Sequence, residues 1–135
     1  MKPRINVLTL GVDNLEKAMA FYRDGLGLPT KGIFGTQFEH GAVAFFHLRN
    51  DLILALFPKA SLAHDSKLAS PTFSIGQLVK SKQEVDKVIA QARKAGAKVT
   101  DGPRDRVWGG YSGYFQDKDG HLWEIVWNPD IPVTD

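Results

Sequence analysis

The 135-residue chain has no cysteine. That excludes a disulfide framework, a thiol nucleophile and a thiolate metal site, and it is what a reducing compartment such as the cytoplasm leads one to expect. Long hydrophobic runs are missing as well. No apolar stretch approaches the roughly 20 residues of a membrane helix, and Met1-Lys-Pro-Arg-Ile-Asn6 lacks the apolar core of a signal peptide, so a soluble protein without a membrane partner is expected. An excess of one charge is also absent, since 17 basic and 15 acidic residues leave a formal +2. The loose basic clusters at Lys80–Lys82 and Arg93–Lys98 do not make the stripe that nucleic acid requires. A chain of this length is one domain, long enough to bury a core without staples.

What is present follows a simple order. Ile5–Val12 is β-branched and apolar enough for a strand, with Val7, Thr9 and Gly11 on one face and Leu8, Leu10 and Val12 on the other. Asp13-Asn-Leu-Glu16 has capping-box spacing, Leu15, Ala18, Met19 and Tyr22 form a helical stripe, and Gly25 supplies a stop. Strands are then expected near Ile33–Glu39, over Ala42–Leu48 and over Leu52–Phe57, closed by Pro58. Lys59–Ser70 is polar, alanine-rich and patternless, and reads as a linker.

The second half repeats the first. Phe73–Val79 predicts a strand, Ser81-Lys-Gln-Glu84 a second capping box, Val85, Val88, Ile89 and Ala92 the same stripe, and Gly96 its end. Lys98–Thr100, a proline-bearing loop and the hairpin Tyr111–Phe115 with Leu122–Trp127 complete the unit, closed by Pro129. Laying Val12 on Val79 pairs the first strands, and laying Leu52–Pro58 on the closing strand pairs Ala55 with Glu124. The chain therefore reads as an α+β domain of two βαβββ modules from an internal duplication, about residues 4–58 and 71–129, joined by a linker over 59–70. A helix covers one face of each curved mixed sheet, and the other faces can enclose a cavity. Alternation assigns to that cavity Val7 and Thr9, Ile53, Ala55 and Phe57, Ser74 and Gly76, and Leu122, Glu124 and Val126. The helix-packing faces receive Leu8, Leu10, Leu54 and Leu56 in one module and Phe73, Ile75, Trp123, Ile125 and Trp127 in the other.

Glu124 is the only charged residue among Leu122, Trp123, Ile125, Val126 and Trp127, and a carboxylate in such a run is costly unless something pairs with it. It reads either as a cavity carboxylate that binds a cationic or hydroxyl-bearing ligand, as a general base raised by apolar neighbours, or as a half-exposed strand residue that meets water or an arginine. Trp108, Tyr111 and Tyr114 either form an aromatic wall over the cavity, with Gly109, Gly110 and Gly113 letting the backbone bend, or serve cross-strand packing. Those glycines lack the Lys-Ser/Thr and following helix of a P-loop. His121 and Asp117-Lys-Asp119 read as a hairpin turn, His64 as solvated, and His40 and His47 as residues within reach of a cavity mouth. Ser74 has no His–Asp pair in any visible motif, so a hydrolase has little support.

Two stretches carry a family resemblance: Gly11-Val-Asp-Asn-Leu-Glu-Lys-Ala-Met-Ala-Phe-Tyr-Arg-Asp-Gly-Leu-Gly-Leu28 and Gly113-Tyr-Phe-Gln-Asp-Lys-Asp-Gly-His-Leu-Trp-Glu-Ile-Val126. With the duplication, they make the chain resemble the vicinal oxygen chelate superfamily from Ile5 to Pro129, a group that includes glyoxalase I, bleomycin-resistance proteins, fosfomycin-resistance enzymes and extradiol dioxygenases. The resemblance implies that metal-dependent members place one ligand on the first and one on the last strand of each module. Those positions are Val7, Ala55, Ser74 and Glu124, of which only Glu124 is a competent donor, so no cofactor is expected and a divalent metal is the lesser alternative. His40, His47 and Gln77 are the other candidate donors, and a one-residue register shift would move every side chain to the other face.

The resemblance also implies a homodimer, because modules often pair across subunits. The expected function is metal-independent binding of a small organic molecule in an apolar and aromatic cavity, with Trp108, Tyr111, Tyr114, Ser74, Phe57 and Thr9 as ligand-binding candidates. The alternative is a glyoxalase-like lyase or isomerase, or a dioxygenase, acting on an oxygen-rich small molecule with Glu124 as metal ligand or general base.

Overall fold

The computed structural model describes residues 1–134. The first strand, β1 (Val7–Val12), leads into α1 (Leu15–Ala20), followed by a wider turn over Phe21–Gly25. Next come β2 (Ile33–Phe34), β3 (Val43–His47) and β4 (Ile53–Pro58), then α2 (Lys59–Ser66). The second half runs β5 (Phe73–Leu78), α3 (Lys82–Lys94), β6 (Lys98–Asp105), β7 (Tyr111–Gln116) and β8 (Leu122–Trp127).

All eight strands form one mixed sheet in the order β2-β3-β4-β1-β5-β8-β7-β6. Each half contains one parallel pair, β1 with β4 and β5 with β8, and the halves meet where β1 and β5 run antiparallel. The two sheets expected from the repeat are thus continuous, because the first strands of the two modules pair with each other. The duplication is visible in the register. The offset that lays Val12 on Val79 lays Thr9 on Gly76, and these stand opposite Ala55 and Glu124 respectively.

Both helices form where the apolar stripes and caps direct them. Asn14, rather than Asp13, caps α1, its side chain accepting from the Lys17 amide at 2.9 Å. The stripe of Leu15, Ala18, Met19 and Tyr22 packs on Ala44, Phe46 and Leu56. Ser81 caps α3 through the Glu84 amide at 3.1 Å, but the Glu84 carboxylate accepts from the Lys80 amide, one residue earlier than a closed capping box. Val85, Val88 and Ile89 of α3 are buried against Val79, Phe115 and Ile125, a burial that contributes about 1.5–3 kcal/mol for each aliphatic side chain.

Three boundaries differ from expectation. β2 is two residues long, and the chain from 35 to 42 is a loop. β6 continues through Pro103 to Asp105, which it tolerates as an edge strand with register shifts on either side of Asp101. The expected linker contains a helix: α2 buries Leu62 against Tyr114 and Leu122 on the face opposite to α3. No helix among the described residues is long and apolar enough to cross a membrane.

Candidate functional site

The face opposite to α1 and α3 holds a cavity of about 640 Å³, a size typical of small-molecule sites. Its floor is strand residues that the period of two turns to one side: Val7 and Thr9 on β1, Ile53, Ala55 and Phe57 on β4, and Glu124 and Val126 on β8. One rim is the loop 35–42. Its neck is pinched so closely that a Cβ on Gly35 or Gly41 would meet the backbone of the other. Phe38 of this loop and Phe34 at the end of β2 line the cavity, and Phe34 stacks edge-on against Phe45 with centroids 5.2 Å apart. Another rim is Trp108, whose ring lies so close over Gly110 that any Cβ there would collide with it. Asn128, Asp130 and Ile131, beyond β8, complete the wall.

α2 closes the remaining side. Leu62 fills the space above Tyr114 and Leu122, while Asp65 on the same helix faces the cavity. The Asp65 carboxylate lies 3.1 Å from His64 Nδ1, and the His64 ring stacks on that of His40 at 4.2 Å between centroids. This stack ties α2 to the loop 35–42.

Glu124 stands at the inner end beside the Tyr114 and Ser112 hydroxyls. Burial pushes its carboxyl above the ordinary range, opposed by the Arg106 charge and reinforced by Asp65. Burial also raises the Tyr114 phenol well above its usual value, with Glu124 and Asp65 adding to the effect. Behind Tyr114, the Arg106 guanidinium sits 5.5 Å from the ring centroid and is itself buried. Its Nε donates to Ser112 Oγ at 2.7 Å, its Nη1 to Asp101 Oδ2 at 3.1 Å and its Nη2 to the Ser112 carbonyl at 3.0 Å. Asp101 is only 2% exposed and also accepts from Arg104 at 2.9 Å and pairs with Lys67 at 2.8 Å. Burial works against that carboxylate, but hydrogen bonds from Lys67 and Arg104, together with the Arg106 charge, hold it below the ordinary range.

Of the residues singled out by sequence, Glu124, Trp108, Tyr114, Phe57 and Thr9 converge on the cavity. Tyr111 does not. Three positions from Tyr114 on one strand, it points to the opposite face, where its hydroxyl donates to Asp86 of α3 at 2.6 Å. That bond and burial push the Tyr111 phenol up to about 12. Ser74 is buried and does not reach the cavity wall, and Leu122 lies under α2. His40 lines the cavity, His47 is exposed, and the Gln77 amide is turned away to donate to the Lys2 and Arg4 carbonyls at 2.7 and 2.9 Å. His121 closes its hairpin turn on Asp117 at 2.9 Å. Arg106, Asp65 and the loop 35–42 were not singled out. Asp65 and Arg106 carry no periodic signal, whereas the glycine pair Gly35 and Gly41 around an aromatic is a loop signature readable from sequence.

The four ligand positions do not fit a divalent cation. Val7 and Ala55 present hydrocarbon and Ser74 is shut away, leaving Glu124 alone, whereas a catalytic metal usually takes three protein donors. Among the described residues, no group of three or more His, Asp or Glu side chains is arranged to hold a metal ion.

The model of the Glyoxalase/Bleomycin resistance protein/Dioxygenase superfamily matches residues 4–125. Solved structures with this architecture include the NAD-dependent benzaldehyde dehydrogenase from Legionella pneumophila, with a TM-score of 0.71 and 19% identity over 90% of this chain and 96% of that one. A variant methylmalonyl-CoA epimerase from Streptomyces coelicolor, in complex with 2-nitronate-propionyl-CoA, gives 0.66 and 18% over 97% of this chain and 98% of that one. The Mn(II)-bound glyoxalase from Novosphingobium aromaticivorans gives 0.61 and 23% over 97% of this chain but 40% of that one. At these identities the likeness shows the fold alone. No curated protein matches the chain by sequence.

Proposed function

We propose that this chain, which belongs to the Glyoxalase/Bleomycin resistance protein/Dioxygenase superfamily, binds a small organic molecule in its cavity without a metal ion. The observation that carries the reading is the wall itself: about 640 Å³ of space bounded mainly by aliphatic and aromatic side chains, with Glu124, Tyr114 and Asp65 as polar groups at the inner end. Burying hydrocarbon supplies affinity, and a few placed polar groups supply orientation. Thr9, Phe57 and Trp108 would touch the hydrocarbon of the ligand. The homodimer and the cytoplasmic location expected from the sequence belong to the same proposal; a monomer mass in sedimentation equilibrium at micromolar protein would remove the first.

Thermal unfolding with a library of compact aromatic compounds tests the binding, run with chelator and with added Zn²⁺, Ni²⁺, Mn²⁺ and Fe²⁺. An organic compound that raises Tm with the chelator present is the expected result. Stoichiometric metal in the purified protein, or a large shift at micromolar metal, would overturn the metal-independent part.

A second reading has one observation in its favour. A carboxyl raised by burial, with two hydroxyls beside it, suits a general base that abstracts a proton alpha to a carbonyl, as in a glyoxalase-like lyase or isomerase. Glu124→Gln separates the readings, because losing a base abolishes turnover of a substrate that the variant still binds, whereas losing an orienting group shows only as weaker binding.

A further inference from the structure

The charge of the cavity wall differs from that of the molecule. The chain as a whole carries a formal +2, yet the carboxylates of Asp65, Glu124 and Asp130 line the cavity and, among the described residues, no lysine or arginine does; the basic side chain on the wall is that of His40. Arg106 lies behind the Tyr114 ring, its guanidinium committed to Asp101 and Ser112. The Asp65 charge reaches Glu124 and Tyr114 across the same space, against the opposing charge of Arg106. Asp130 is exposed at the mouth. The rest of the wall is rich in aromatic rings: Phe34, Phe38, Phe45, Phe57, Trp108 and Tyr114.

Each feature selects the same chemistry. A carboxylate set against apolar surface loses hydration, which an ammonium restores through charge and through as many as three N–H donors. Aromatic faces attract a cation by their quadrupoles and accept hydrocarbon equally well. An anionic group would meet two carboxylates at the inner end and a third at the mouth. A neutral polar group would leave both carboxylates without a counter-charge inside the cavity.

We propose that the ligand is a small organic cation, an aromatic or alicyclic amine protonated at neutral pH, with its ammonium between Glu124 and Asp65 and its ring against Trp108, Phe45 and Tyr114. His64 holds the Asp65 carboxylate in place from its outer side, at 3.1 Å. The inference rests on the binding reading given above and adds the charge of the ligand to it.

Three probes of one shape test it on the full chain by calorimetry: naphthylmethylamine, naphthylmethanol and naphthoate. The amine is expected to bind about tenfold or more tightly than the alcohol, and the naphthoate least. Glu124→Gln and Asp65→Asn should each weaken the amine about tenfold more than they weaken the alcohol, and retained binding of the alcohol shows that the variant is folded. Equal affinity for amine and alcohol, or an amine affinity untouched by both substitutions, would overturn the cationic ligand and leave the cavity-binding reading standing. Absence of binding by all three probes would overturn both.

Discussion

The two modules share one pattern of strands and caps but differ on both faces of the sheet. On the convex side, α3 buries Val85, Val88 and Ile89, whereas α1 is half as long and buries none of its residues completely. On the concave side the order is the same. Module 2 is filled, with Leu62 seated on Tyr114 and Leu122 and with Arg106 and Asp101 paired beneath; module 1 keeps Val43, Phe45 and Ala55 facing open space. Duplication therefore does not make two equivalent half-sites. The segment between the repeats occupies one of them, and Glu124, which belongs to the filled module, looks across into the empty one.

The largest effect should come from the pair beneath the filled half. Arg106→Ala leaves the Asp101 carboxylate, 2% exposed, without its buried partner, and should cost about 3–5 kcal/mol in urea unfolding. Leu62→Ala opens the plugged half and should cost about 2–5 kcal/mol, whereas Val43→Ala on the open half removes a methyl pair that already faces the cavity and should cost less than about 1 kcal/mol. Equal losses at the two sites would break the comparison.

Titration sharpens it next. Glu124, faced by Arg106 from the end of β6, Tyr114 from β7 and Asp65 from α2, keeps its proton in the folded state above the ordinary 4.5. Unfolded chains ionise there first, so stability falls as pH rises from 4.5 to the folded value. Glu124→Gln removes this loss, and its Tm should gain on the wild type across that window and run parallel above it. Asp101 acts in the opposite sense, since its contribution is present above the ordinary 3.8 and is lost as pH falls through its depressed value. The smallest effect is on the convex side of the same strand. Tyr111→Phe breaks a largely exposed bond to Asp86 and should cost about 1 kcal/mol or less, with no change in ligand affinity. The alkaline tyrosine transition near 12 should disappear with it, along with the stability that the wild type loses between pH 10 and 12.

Much of this was legible in the chain. Period-two alternation located the cavity floor at Val7 and Thr9, at Ile53, Ala55 and Phe57, and at Glu124 and Val126, though it also assigned Leu122, which α2 covers, and the Val12–Val79 and Ala55–Glu124 correspondences foretold the register of the parallel pairs. The same alternation, applied to Tyr111 and Tyr114, already separates them, since residues three apart on a strand lie on opposite faces. α2 was not legible because Lys59–Ser66 offers a single large apolar residue, Leu62, and no stripe around it. Arg106, between Asp105 and Val107 in a polar stretch, reads as a surface cation. Only the approach of Asp101 on β6 and Ser112 on β7 makes it a buried one.

Local pattern by itself determined two βαβββ modules, which side of each strand is apolar, where the helix of each module lies, and that one carboxylate stands in the last strand, because each depends on spacing along a few residues. Tertiary structure alone decided which concave face stays hollow, which charges surround it, and that Asp65 joins Glu124 there. Those outcomes depend on where a helix without a counterpart in the repeat lays its one large apolar side chain, and the packing of Leu62 on Tyr114 and Leu122 carries Asp65 to the cavity with it.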